Sequence, residues 1–277
     1  MKSDLEERVI DLVREANVSL KDDVLTLLKR AEKSEKNKRV KQALNVILEN
    51  AAIAKRKNIA ICQDTGLPLV FLEIGRDLKF DQRVIKKIKR GVTRGYKKWG
   101  FRASSTIPFK GGNAYNPDIV YTEFTQKKGL RVTIFPKGFG AENKSKLKMF
   151  SPTATYEEID DFVVKAVKDA GAEACPPFFV GVGIGGTADF ALVLAKKALL
   201  EELDKPNPDK FLNSWEERLY EKINKLEIGA MGWGGRFTCL KIRIKTYATH
   251  LAGLPVGVNI SCHALRRASL VLKASEV

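Results

Sequence analysis

Residues 58–75 read NIAICQDTGLPLVFLEIG, and the hydrophobic pattern changes character inside them. Upstream, Val40, Ala43, Leu44, Ile47, Leu48 and Ala51 recur at the spacing of one helix face. From residue 59 the pattern becomes that of strands, first NIAIC and then LPLVFLEIG. At the junction lies ICQDTG (61–66), with a thiol and a carboxylate two residues apart. A turn needs only the Asp and the Gly. The cysteine is surplus, which marks this junction as a candidate site.

Working outward, the N-terminal part is helical. Ser3 and Glu6 fit a capping box ahead of Leu5, Val9, Leu12 and Val13, and Ser19 and Asp22 suggest a second helix start. C-terminal to the junction, DIVYTEF and GLRVTIFPKG read as strands, with glycine-rich loops in KGGNAYNPD and PKGFGAENKS. TYEEIDDFVVKAVKDAGAEA reads as a helix running into CPPFFVGVGIGGTAD, and further helices follow in FALVLAKKALLEEL and SWEERLYEKINKL. A strand in RFTCLKIRIK precedes the closing THLAGLPVGVNISCHALRRASL. Helices and strands mix without a strict alternating repeat, which predicts α+β: N-terminal helices, then mixed sheets with packed helices. We expect one catalytic domain over 1–277, with 1–58 its helical part and 59–277 its mixed part. Residues 204–213 are the one linker candidate.

A net charge of +16 raises nucleic-acid binding as a possibility, but basic and acidic residues are interleaved along the chain. The dense basic run KKIKRGVTRGYKKWGFR reads as a solvated face. The N-terminus is charged and amphipathic, unlike a signal peptide, and no stretch reaches the roughly 18 apolar residues of a membrane helix. The expectation is a cytoplasmic protein that binds neither nucleic acid nor membrane.

Cysteines stand at 62, 175, 239 and 262 with no CxxC pair, which is no disulfide framework. Cys62, Cys175 and Cys262 sit where regular elements break into loops, whereas Cys239 lies inside a strand pattern and reads as structural. Three loop thiolates suit an iron–sulfur cluster with one iron lacking a protein ligand, or zinc with a water. A basic nucleic-acid-binding metal protein is the alternative from another class, and it gives the glycine-rich motifs no role. GVGIGG (181–186) has GxGxxG spacing, but the acidic residue that a dinucleotide fold needs about 20 positions on would fall in a loop. A glycine-lined wall is the preferred reading.

Taken together, ILENAAIA, ICQDTGLPLVFLEIG, PKGFGAENKS, GVGIGGTAD, AMGWGG and THLAGLPVGVNISCHALRRASL resemble the class I, iron–sulfur fumarate hydratases and the related L-tartrate dehydratases. The motifs run in the family's order over nearly the whole chain, and the length corresponds to the α subunit of the two-subunit form. The resemblance implies a [4Fe–4S] cluster held by Cys62, Cys175 and Cys262, its fourth iron open to a dicarboxylate substrate. It also implies proton transfer by Asp64 and His250, and substrate contacts from Gln63, Arg102 and the Gly140 N–H. The family often shows KGGGS where this chain reads KGFGA. His263, beside Cys262, would orient the loop or bond a sulfur. The implied reaction is reversible hydration of fumarate to L-malate, a step of the tricarboxylic acid cycle, with dehydration of L-tartrate to oxaloacetate as the alternative. A β subunit would supply the remaining site residues, in an α₂β₂ assembly built on an α homodimer.

Overall fold

In a computed structural model, residues 4–115 and 119–277 are described. The chain opens with α1 (Leu5–Val18), α2 (Asp22–Ser34) and α3 (Lys38–Lys57), then β1 (Leu67–Gly75) and α4 (Gln82–Lys98). Next come β2 (Ser105–Ile107), β3 (Gly111–Ala114), β4 (Val120–Thr125), β5 (Leu130–Lys137), the single turn α5 (Phe139–Glu142) and β6 (Lys146–Phe150). The remainder is α6 (Tyr156–Ala170), β7 (Phe178–Gly186), α7 (Ala188–Ala198), α8 (Lys210–Asn224), β8 (Cys239–Thr249), β9 (Leu254–Ser261) and β10 (Ala268–Leu272). This is the α+β mixture that the pattern predicts.

The described residues form two compact units, each assembled from separated stretches: Met1–Lys21, Asn50–Phe139 and Arg266–Val277 in one, Asp22–Glu49 and Gly140–Leu265 in the other. The loop at 204–213 separates neither, since both its ends lie in the second unit.

In the first unit the sheet order is β10-β5-β1-β4, with β1 parallel to β4 and the other pairs antiparallel. Helices α1 and α4 share a core with it, built on Val9, Val13, Val70, Leu72, Ile88, Val92, Tyr96 and Val132. Glycine in α4 allows the two helices to close: a Cβ at Gly91 would stand 2.8 Å from the Val9 Cβ. The basic run occupies the outer face of α4, where Arg90 and Arg94 meet Glu6 at 3.2 and 2.6 Å and Lys87 meets Asp4. Glu6 is thus engaged across helices, and Ser3, its expected capping partner, lies outside the described residues.

The second unit has the order β6-β9-β7-β8, with β7 parallel to β8 and antiparallel to β9. Alternation along β7 sends Phe178, Val180 and Val182 into a core with Ile159 and Val163 of α6 and Leu219 of α8. The opposite face carries Gly181 and Gly183, where a Cβ would come 2.0 and 2.1 Å from the carbonyls of Ala195 and Ala191 in α7. These glycines of GVGIGG seat a helix backbone against a strand. They are packing residues, and that answers both the dinucleotide reading and the glycine-lined wall at these two positions.

Three local expectations need correction. NIAIC is no strand: the main chain of Ile61 is taken up by Asn17 and Asn50, leaving it in a bend. KGGNAYNPD includes β3, paired with β2, although Asn116, Pro117 and Asp118 lie outside the described residues. Lys146–Phe150, passed over in the sequence, is β6, an edge strand against β9 whose exposed side chains hide the strand pattern.

Candidate active site

The turn 61–66 is set by bonds that its own sequence supplies. Asn50 Nδ2 donates to the Ile61 carbonyl at 2.9 Å, and the Ile61 N–H donates to the Asn17 carbonyl at 3.1 Å. Asp64 closes the turn: its Oδ1 accepts the Gly66 N–H at 2.9 Å, while its Oδ2 accepts the Phe139 N–H at 2.8 Å. Gly66 has φ +74°, and a Cβ there would strike the main chain of Pro136 at 2.7 Å, so only glycine lets the turn lie against β5. The half-buried Cys62 thiol donates to Gln63 Oε1 at 3.3 Å.

Three residues that the sequence reading passed over fasten this turn. The buried Thr65 hydroxyl accepts the Arg102 N–H at 3.1 Å and donates to the Arg102 carbonyl at 3.3 Å. That clasp brings the segment carrying the Arg102 guanidinium to the segment carrying Gln63 and Asp64, with Arg102 and Gln63 both exposed. Tyr96 donates from its hydroxyl to the Thr65 carbonyl at 2.9 Å, and burial pushes its phenol up to about 12. Arg266, in the first unit, donates from Nη2 to the Asp64 carbonyl at 2.8 Å. Thr65 gave no signal beyond its place between Asp and Gly, and Arg266 only its place in an Arg-Arg doublet.

The second unit brings Cys175 and Cys262 into neighbouring loops. Cys175 follows the last turn after α6 and is held at φ 57°, ψ 67°, a left-handed conformation uncommon for cysteine. The peptide bond between Pro176 and Pro177 is cis, and the Pro176 carbonyl accepts the Met231 N–H at 2.9 Å, which ties AMGWGG to this loop. Cys262 follows the end of β9. His263 joins the two: its main-chain N–H and its ring Nδ1 both reach the Cys175 carbonyl, at 3.2 and 3.1 Å. A carbonyl only accepts, so Nδ1 carries the proton in this arrangement. His263 therefore orients the loops through the main chain.

His250 is exposed on the turn that leads from β8 to β9, where its Nδ1 accepts the Ala252 N–H at 3.1 Å. Gly140 is exposed in α5, with the Glu173 carbonyl 3.7 Å from where a Cβ would stand. Cys62, Gln63, Asp64 and Arg102 thus belong to the first unit, and Gly140, Cys175, His250 and Cys262 to the second.

The chemistry of each donor suits an iron–sulfur cluster, since Cys62, Cys175 and Cys262 are each half-buried thiols outside the regular elements. Cys239 is fully buried, and desolvation pushes its thiol up to about 12, which keeps it protonated and a poor ligand. Among the described residues no three His, Cys, Asp or Glu side chains gather closely enough for a single metal ion.

The family model for fumarate hydratase (fumerase) matches residues 6–271. A Methanocaldococcus jannaschii protein, provisionally named an L(+)-tartrate dehydratase subunit alpha, is 42% identical over 94% of this chain and 94% of its own length. A Geobacillus stearothermophilus protein, provisionally named a class I fumarate hydratase, is 31% identical over 95% of this chain, which spans 54% of it. The Escherichia coli L(+)-tartrate dehydratase subunit alpha is 26% identical over 98% of this chain and 91% of its own.

Proposed function

The chain belongs to the class I fumarate hydratase family and is a hydro-lyase, and from that premise we propose that it is the α subunit of an iron–sulfur enzyme that reversibly hydrates fumarate to L-malate. The observation that carries the reading is the Thr65 clasp. It keeps the Arg102 segment beside a thiol, an amide and a carboxylate, a set suited to a metal-assisted reaction on a dicarboxylate.

Cys62, Cys175 and Cys262 would hold the cluster. When bound, it supplies a Lewis acid that polarises the substrate hydroxyl and an adjacent carboxylate. The chain's own residues do the rest. Arg102 offers a planar fork to a substrate carboxylate, and Gln63 and the Gly140 N–H add neutral donors. Asp64, with each oxygen already anchored by one main-chain N–H, keeps a lone pair on each with which to accept and return a proton. The Nε2 of His250 is the ring atom left for proton exchange, since Nδ1 is engaged in its own turn. The relatives named as alpha subunits support a β-subunit partner, and an α₂β₂ assembly in the cytoplasm completes the proposal. Among the described residues no helix is long and apolar enough to cross a membrane.

A second reading, dehydration of L-tartrate to oxaloacetate, is favoured by the names of the Methanocaldococcus and Escherichia relatives. The test is anaerobic reconstitution with iron, sulfide and the β subunit, followed by kcat/KM for fumarate, L-malate and L-tartrate measured side by side. A clear preference for fumarate and malate supports the first reading, and a preference for tartrate replaces it with the second. An iron-loaded complex that turns over none of them rejects both.

A further inference from the structure

We propose that Arg266 is the positioning residue of the Gln63–Asp64 turn. The residue is 2% exposed. Nη2 donates to the Asp64 carbonyl at 2.8 Å, while Nε and Nη1 are buried with no hydrogen-bond partner among the described residues. Burying a cation with unused donors is costly, and holding one carbonyl does not repay it. The second partner is the carboxylate. A Cβ built on Gly138 would lie 3.3 Å from Asp64 Oδ2 and 3.6 Å from Arg266 Nη2. The two groups thus flank one methyl-sized space that glycine leaves open, and a negative charge on Asp64 compensates the buried guanidinium across it.

Asp64 is consequently held at three atoms: Oδ1 by Gly66, Oδ2 by Phe139 and the main-chain oxygen by Arg266. Side-chain and main-chain torsions of the proposed proton-transfer residue are fixed together, and such fixing keeps a reacting group in productive geometry. Arg266 stands two positions before Ala268, the first residue of strand β10, so the anchor sits beside a rigid element. It acts through Asp64 and need not meet substrate.

The kinetic half of this inference rests on the hydro-lyase reading; the structural half does not. The test uses the full-length chain and the variants Arg266→Lys and Gly138→Ala. Amide hydrogen exchange is followed at Gly66 and Phe139, whose N–H groups bond the Asp64 carboxylate, and at Val132 and Ile134 inside β5. Arg266→Lys should speed exchange at Gly66 and Phe139 by about tenfold or more and leave Val132 and Ile134 unchanged. In the iron-loaded complex with the β subunit, kcat should fall by about tenfold or more, with a smaller change in KM. Gly138→Ala crowds the same space while keeping the guanidinium and should act in the same direction. Unchanged exchange at Gly66 and Phe139 overturns the proposal, as does equal acceleration in β5, which marks a merely structural arginine. Local loosening with unchanged kcat overturns it too. If Arg266→Lys does not fold, Gly138→Ala decides by the same criteria. Local loosening in a chain whose wild-type complex turns over no dicarboxylate sinks the hydro-lyase reading and leaves the positioning role standing.

Discussion

Thr65 and Arg102, 37 residues apart, hold each other by both main-chain groups of the arginine through a single buried hydroxyl. Thr65→Val keeps the shape and leaves an N–H and a carbonyl without their partner. The folded state should lose about 1–3 kcal/mol, seen as a lower urea midpoint. KM for the dicarboxylate should rise, and combining the change with Arg102→Lys should raise it by less than the product of the two single effects. A variant with wild-type midpoint and KM would make the clasp incidental.

Cysteine substitutions should separate sharply. Cys62→Ser, Cys175→Ser and Cys262→Ser each remove a half-buried loop thiol and should abolish iron loading, whereas Cys239→Ser should load normally. Iron content and the visible absorption of the reconstituted chain measure this. Alkylation before reconstitution gives an independent check: the three loop thiols should react in the native chain, and Cys239 only after unfolding. Loss of iron in the Cys239 variant alone would refute the ligand assignment.

His263→Leu should leave the three thiols in place yet loosen iron retention, because the tie between the Cys262 loop and the Cys175 carbonyl loses its ring donor. Removal of an outer-shell partner typically costs 10–100-fold in metal affinity, so chelator-driven iron release should be faster by about that factor. A release rate equal to wild type would assign the ring no such role, the main-chain N–H sufficing.

Asp64→Asn shows where structure changes an expectation drawn from sequence. By sequence, Asn keeps the shape and removes only the titratable group. In the structure both carboxylate oxygens accept main-chain N–H groups, and an amide presents only one acceptor, so one donor meets an NH₂. The substitution should lower kcat by roughly 100-fold and also reduce stability by about 1–3 kcal/mol. Unfolding and kinetic measurements on the same preparation test both halves. An unchanged kcat would remove Asp64 from the chemistry.

What the sequence made legible follows from where its signals are local. The helical run placed α6, which the structure shows capped by a Thr155–Glu158 box, and apolar runs placed β1 and β5. The surplus thiol at Cys62 pointed to the turn that Thr65 and Asp64 organise. The rest depends on long-range contacts. No local pattern says that Arg266 returns to residue 64, that His263 reaches residue 175, or that Gly181 and Gly183 face a helix backbone. Nor can composition show that the basic run on α4 meets the acids of α1.

Alkaline pH should destabilise the fold through two buried groups. The Cys239 thiol, ordinarily near 9.0, and the Tyr96 phenol, ordinarily near 10.0, are each pushed up to about 12 by desolvation. In both, the ionised form is the one that burial disfavours, so the unfolded chain releases these protons first. Below about pH 9 both states keep them and the contribution to stability is complete. As pH rises towards about 12 the unfolded state binds fewer protons than the folded one, and stability falls. The urea midpoint of the wild-type chain should therefore decline from about pH 9 upward. Cys239→Ser keeps a small hydroxyl in place of the thiol and removes its titration, so the decline should start about one pH unit later, where Tyr96 begins to contribute. If wild type and variant decline in parallel from the same pH, the buried thiol is not the group that sets the onset.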